Sequence, residues 1–131
     1  MRALTMIALA TFFTLTACKE MEKIPGNYDV TTVAGTDYAA YGVTLNIAMG
    51  EENKLTGNSG CNQYFTDFTN PESNKVEIGM IAGTKMMCMD KDKIERAYLE
   101  QLSNVKSVKP TATGLELMNE AGKVIIVAKR K

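Results

Sequence analysis

The residues of this sequence with the widest chemical reach are its three cysteines, Cys18, Cys61 and Cys88. A cysteine can carry a lipid, form a disulfide, bind a soft metal or act as a nucleophile. The sequence contains no histidine, which removes the usual general base near neutral pH, the commonest metal ligand and every Ser–His or Cys–His nucleophile pair. The composition therefore argues against an enzyme, and we expect no catalytic residues.

A sulfur-rich run from Met86 to Met89, with Cys88 inside it, offers soft ligands that suit Cu(I). Methionine is also an adaptable filler of protein cores, and this is the simpler explanation of the run. We therefore expect no metal site and no cofactor. The nearby carboxylates Glu95 and Glu100 are too far apart in a helix to share a face, so we expect both to be solvated on its surface.

The N-terminal segment resembles a secretory signal. Arg2 provides a positive start, and residues 3–17 carry no charge. This stretch is shorter than the roughly 20 residues that a membrane-spanning helix needs, but it fits the apolar region of a signal peptide. It ends in Leu15-Thr-Ala-Cys18, which resembles the lipobox of bacterial lipoproteins. The sequence therefore predicts a signal peptide over residues 1–17 and lipid attachment at Cys18.

The lipobox implies a location. More than one acyl chain on Cys18 would give firm anchoring, so the expected partner of this end of the chain is a membrane. Lys19 is not the Asp that retains lipoproteins at the inner membrane. In a bacterium with two membranes, the sorting rule then predicts the periplasmic face of the outer membrane. Residues 18–25 would form a short lipidated tether.

The remaining segment, residues 26–131, is predicted to form one domain, since the whole chain has only 131 residues. Lysine and arginine total 15, and aspartate and glutamate also total 15, so the formal net charge is zero. Nucleic-acid binders usually carry a basic excess, so we expect no nucleic-acid partner. With 45% hydrophobic residues and no low-complexity tract, the chain is not typical of disorder.

Alternation of apolar and polar residues predicts several half-buried strands. The alternating apolar sets are Val43, Leu45, Ile47 and Met49, then Val76, Ile78 and Met80, then Leu115 and Leu117. One helix is predicted over residues 90–104, with Asp90 as its N-cap, an Arg96–Glu100 pair on its surface, and an apolar face of Ile94, Tyr98, Leu102 and Val105. This order predicts an α+β fold of mostly antiparallel strands in an open or cracked barrel-like sheet, plugged by one main helix.

Two motifs, Gly57-Asn-Ser-Gly-Cys-Asn-Gln-Tyr64 and Ile78-Gly-Met-Ile-Ala-Gly-Thr-Lys-Met-Met-Cys88, resemble the META domain family of HslJ-like bacterial lipoproteins. The family often has a tryptophan in the first strand, where this chain has Tyr28. The resemblance implies a role in envelope stress and antibiotic tolerance but no mechanism. The family motif residues are Gly60, Cys61, Asn62, Thr84, Met86 and Cys88.

The cysteines within these motifs allow two states. An even pair in an exported domain favours a disulfide between Cys61 and Cys88. The alternative is two buried free thiols, which behave as small hydrophobes.

Three functions fit the sequence. The first is a non-enzymatic, lipid-anchored envelope protein that binds an envelope protein or an apolar ligand. The second is a pilotin-like or acyl-chain-binding carrier, which would need an apolar cavity beneath the helix. The third is a small thiol-dependent enzyme, which would need a cleft with convergent polar groups.

Overall fold

The computed structural model describes residues 21–131. The predicted signal peptide, residues 1–17, and the predicted lipid-attachment residue Cys18 lie outside the described residues. Within residues 21–131, no helix is long and apolar enough to cross a membrane. The described chain contains one α-helix, α1 (Asp92–Ser103), and the strands β1 (Gly26–Val33), β2 (Thr36–Asp37), β3 (Thr44–Ala48), β4 (Lys54–Asn58), β5 (Gln63–Glu72), β6 (Lys75–Ile78), β7 (Ala82–Gly83), β8 (Ser107–Pro110), β9 (Gly114–Met118) and β10 (Val124–Arg130).

The strands form an antiparallel barrel in the order β10-β9-β8-β6-β5-β4-β3-β1. The first and last strands of this order also pair, with Tyr28 opposite Arg130 and Val33 opposite Ile126, so the barrel of eight strands is closed. The predicted α+β class, antiparallel barrel and single helix are confirmed. Closure corrects the expectation of an open sheet, and the β1–β10 pairing is its physical reason. The short strands β2 and β7 lie outside the ring, on β1 and β5.

The alternating sets define the barrel interior. Val43, Leu45 and Ile47 are buried, as are Leu115 and Leu117. The set of Val76, Ile78 and Met80 is only partly right, because Val76 is buried whereas Met80 is 93% exposed. The strand β6 ends at Ile78, and Met80 lies beyond it in a stretch without strand structure, so alternation no longer applies there.

Helix α1 packs its apolar face into the interior of the domain. Tyr98, Leu102 and the following Val105 are fully buried, as its apolar face predicted. Two details of the predicted helix are wrong. Its N-cap is Lys91, which makes no side-chain capping bond, because the helix starts later than predicted. Arg96 pairs with Asp92, not with Glu100, one helical turn back on the exposed face.

Candidate functional site

The connection between β4 and β5 is a tight loop that holds its own shape. Gly60 lies at φ +117, a backbone conformation that residues with a side chain rarely adopt. The Asn58 side chain accepts the Gly60 N–H at 2.8 Å, and the Ser59 N–H donates to the Asn62 carbonyl at 2.8 Å. The Gly57–Tyr64 motif thus contains a turn, which directs Ser59 and Asn62 inward, where both are buried.

The loop is joined to α1 by a buried carboxylate. Glu95 is only 8% exposed. Its carboxylate accepts the Asn62 N–H and the Asn62 side-chain amide, each at 3.0 Å, and a short hydrogen bond from the Ser59 hydroxyl. Neutral donors therefore satisfy this carboxylate, and no ion pair links it to a cation in residues 21–131. The prediction that Glu95 is solvated on the helix surface is wrong, because these donors lie beneath that face of the helix.

Asn62 also holds the second motif. Its side-chain oxygen accepts the Met86 N–H at 2.7 Å and the Thr84 hydroxyl at 3.0 Å. Its side-chain nitrogen donates to the Met86 carbonyl at 3.1 Å as well as to Glu95. One asparagine thus connects the β4–β5 loop, α1 and the segment 84–86. This explains, through hydrogen bonding, why asparagine occupies this motif position.

A disulfide joins the two motifs covalently. Cys61 and Cys88 are bonded, with their Cα atoms 6.1 Å apart, within the usual range for a disulfide. Of the two states that the sequence allowed, the pair of buried free thiols is therefore excluded. The two cysteines are 27 positions apart in the sequence. The segment before α1 is therefore held by a covalent bond at Cys88 and by hydrogen bonds at Thr84 and Met86.

The segment 79–84 lies closely against β5. The Gly79 N–H donates to the Asp67 carbonyl at 2.8 Å, and the Thr84 N–H donates to the Gln63 carbonyl at 3.0 Å. A Cβ atom on Gly83 would stand 2.5 Å from the Gln63 carbonyl oxygen. The close approach of the two backbones therefore requires glycine at position 83.

A groove of about 450 Å³ separates this segment from α1. Its volume falls within the range of ordinary ligand pockets, roughly 300–1,000 Å³. The buried network of Ser59, Asn62 and Glu95 lies at its base, and Leu99 and Arg96 of α1 form the opposite wall. Met86 and Met87, which follow this segment in the chain, extend the same wall.

The methionines here do not fill the core. Met87 is 93% exposed, and Met80, Met86 and Met89 are also exposed. The core-filler explanation of the Met86–Met89 run is therefore wrong. In residues 21–131, no group of three or more His, Cys, Asp or Glu side chains could hold a metal ion.

Beneath the groove, two buried tyrosine rings pack edge to face. Tyr64 donates to the Thr44 carbonyl at 2.8 Å, and its oxygen lies 2.6 Å from the Tyr98 hydroxyl. Since Tyr64 has a single hydroxyl proton, Tyr98 is the donor between the two rings. Burial raises the pKa of both phenols, and the interaction with Tyr64 raises the pKa of Tyr98 further. The two hydroxyls thus act as neutral structural groups.

The hydroxyl and sulfur groups beside the groove make structural contacts. Ser59 is fully buried, and its hydroxyl faces a carboxylate and a carbonyl. The cysteines at positions 61 and 88 are consumed by the disulfide. Asn62 is the point where the predicted motif residues meet, since Thr84 and Met86 bond to it directly and the Cys61–Cys88 bond lies beside it.

Sequence reasoning missed Glu95, the residue that links the two motifs to the helix. A signal was present, because Glu95 precedes Tyr98 by three residues and Leu102 by seven. This is the spacing of one helical face, and the other two residues were correctly assigned to the core. Glu95 was assigned to the surface because it is charged, although a carboxylate can be buried where hydrogen-bond donors satisfy it.

No curated protein matches this chain. A solved structure titled "NMR structure of the protein from Burkholderia xenovorans" is similar, with a TM-score of 0.65 and 20% sequence identity over 100% of this chain and 97% of that chain. At this identity the likeness shows the fold alone. The sequence model of the META domain matches residues 14–131, and the chain therefore belongs to the META domain family.

Proposed function

We propose that this protein is a non-enzymatic, lipid-anchored cell-envelope protein that binds a partner through the groove between the segment 81–87 and α1. The single observation that carries the proposal is the exposure of methionine side chains on a rigidly fixed segment. Exposed thioethers are apolar, adaptable contact groups that occur on binding surfaces. Here a disulfide and the Asn62 hydrogen bonds hold their backbone in one conformation, so that little conformational freedom is lost on binding.

The position of the groove suits such a role. The Met21 sulfur lies 3.3 Å from the Asn74 backbone nitrogen, just beyond the end of β5. Asn62, at the base of the groove, immediately precedes the start of β5. A ten-residue strand such as β5 rises about 33 Å. An anchor at Cys18 would therefore hold one end of the barrel to the outer membrane, and the groove would face the periplasm.

The packed interior disfavours the acyl-carrier alternative. An acyl chain would need an apolar cavity beneath α1, but Tyr64, Tyr98 and Leu102 occupy that space and are buried. The groove itself is open to solvent along its methionine side. A carrier would have to displace Tyr64, Tyr98 and Leu102 to admit a lipid tail, and this would break the Tyr64–Tyr98 hydrogen bond.

The family likeness supports a role in envelope stress or antibiotic tolerance, which the protein would exert through its binding partner.

The test is site-specific photo-crosslinking in intact cells. A photoreactive amino acid replaces Met87 in the groove or, as the control, Glu51, an exposed residue of the β3–β4 turn. The Met87 position should yield a discrete crosslinked partner that the Glu51 position does not.

Two further outcomes decide the proposal. Metabolic labelling with a palmitate analogue should tag the wild type, and Cys18→Ser should abolish the label. Label that survives this substitution would remove the lipid anchor. Identical crosslinks from Met87 and Glu51, or no crosslink from either, would remove the groove as the binding site.

A further inference from the structure

The backbone of the segment 82–86 has one edge bonded and one edge open. The register pairs Ala82 with Phe65, and the Thr84 N–H donates to the Gln63 carbonyl. The Met86 N–H and carbonyl both bond to the Asn62 side chain. Alternate residues of an extended segment thus direct their peptide groups towards β5 and the loop before it. In an extended chain, the peptide groups of the residues between them point the opposite way.

The intervening residues are Gly83 and Lys85, and both line the groove. The strand pairings of β7 involve β5 alone, and the structure gives the backbone N–H and carbonyl groups of Lys85 no hydrogen bond to any residue in 21–131. Unpaired groups along a strand edge are a template for another strand. Here the edge faces a groove, and its opposite wall is α1.

Two acidic and two basic side chains line the groove, Asp92 and Glu95 and Lys85 and Arg96, and the buried Glu95 is satisfied by neutral donors. Lys85 is exposed and makes no ion pair with any residue in 21–131. Across the groove, Arg96 is already neutralised by Asp92. The free cation on the strand side would therefore be complemented by an acidic group. Leu99 and Met87 add apolar surface beside it.

We propose that the occupant of the groove is an extended peptide segment of another protein, which adds as a strand to the open edge at Gly83 and Lys85. The peptide carries apolar side chains towards Leu99 and Met87 and an acidic side chain beside Lys85. Main-chain hydrogen bonds supply affinity in this recognition mode, and the side chains supply selectivity. This inference rests on the proposed function and names the class of partner at the same site.

The test uses the purified protein and a random octapeptide phage library. Peptides that bind are synthesised with a fluorophore, and each is then N-methylated at one position at a time. Strand addition requires the affinity to fall at alternate peptide positions, by about 10-fold for each lost donor that leaves a buried acceptor unpaired. A flat profile, or loss at consecutive positions only, overturns the inference.

Two variants separate the backbone from the side chain. Lys85→Ala removes the charge and keeps the N–H, whereas Lys85→Pro removes both. We expect Lys85→Ala to weaken binding only moderately and to reduce its salt dependence, and Lys85→Pro to weaken binding by about 10-fold more. Equal affinities for the two variants overturn strand addition. Circular dichroism establishes that each variant is folded.

Hydrogen exchange keeps the inference testable even if Lys85→Pro fails to fold. In the wild type, the bound peptide should slow amide exchange at Gly83 and Lys85, but not at Glu51. Unchanged exchange at both amides overturns the inference, as does a peptide-independent dimer that protects this edge, since the occupant would then be a second copy of the chain. A crosslinked partner at Met87 together with a flat N-methylation profile would leave the proposed function standing and remove only strand addition.

Discussion

Glu95 on α1 accepts hydrogen bonds from both the backbone and the side-chain amide of Asn62, each at 3.0 Å. The asparagine side chain meanwhile holds Met86 by its N–H and its carbonyl. The helix, the β4–β5 loop and the segment 84–86 are therefore fixed by one another. Because the groove lies between two of these elements, its shape depends on this one pair of residues.

The first prediction concerns the buried carboxylate. Glu95→Ala leaves the Asn62 backbone N–H and one side-chain amide hydrogen without their acceptor in a buried site, and we expect the free energy of unfolding to fall by about 2–3 kcal/mol. Glu100→Ala on the same helix is the matched control, since that side chain is exposed, and its effect should stay within about 0.5 kcal/mol. Urea unfolding measures both. Equal effects would mean that the donors find other acceptors.

The second prediction concerns the disulfide. Opening a loop of this size should lower the free energy of unfolding by about 3–4 kcal/mol in the chain-entropy description. Cys61→Ala alone should cost about as much as the double variant Cys61→Ala/Cys88→Ala, because either change breaks the same bond. Reductant should destabilise the wild type to a similar extent and leave the double variant unchanged. Additive single-variant effects would contradict a bonded pair.

Much of the fold could be predicted because its signals are local. Alternation at Val43, Leu45 and Ile47 and helical spacing at Tyr98 and Leu102 reflect which face of each element is buried, and the structure buries all five. Barrel closure could not be predicted in the same way. It depends on the pairing of Tyr28 with Arg130, residues about a hundred positions apart, and no local pattern encodes such a register.

The candidate site was predicted in its parts but not in its connection. The motif residues Cys61, Asn62 and Cys88 were recognised by family resemblance. Their link through Glu95 was missed, because a carboxylate in a helix is normally solvated. The exposure of Met87 was missed for the opposite reason, since apolar residues are normally buried. Both exceptions occur at the groove, where tertiary contacts override the usual preference of charged residues for the surface and of apolar residues for the core.

The third prediction concerns the close packing of β4 against β3. A Cβ atom on Gly57 would stand 2.2 Å from the Thr44 carbonyl oxygen and 3.0 Å from the Tyr64 hydroxyl. Gly57→Ala should therefore force backbone movement, lose part of the Tyr64–Thr44 hydrogen bond and cost about 1–3 kcal/mol. Gly50→Ala is the control, since nothing lies within 4 Å of its Cβ position. If thermal unfolding shows the two variants to be equally stable, the strands are less tightly packed than described.

The last prediction concerns alkaline pH. Burial raises the pKa of Tyr64 and Tyr98 in the folded protein above the ordinary value of 10.0. Below about pH 10 both phenols are protonated in the folded and unfolded chains, so their contribution to stability is fully present. Above that pH the unfolded chain releases these protons and the folded chain retains them, so the free energy of unfolding should fall as pH rises. Tyr98→Phe should make this fall less steep, because one of the phenols whose pKa is raised by burial is gone while Tyr64 still donates to Thr44. Urea unfolding at a series of pH values, with phenolate absorbance as a parallel record of ionisation, measures the slopes. An unchanged slope in Tyr98→Phe would show that Tyr98 is not held neutral by the fold.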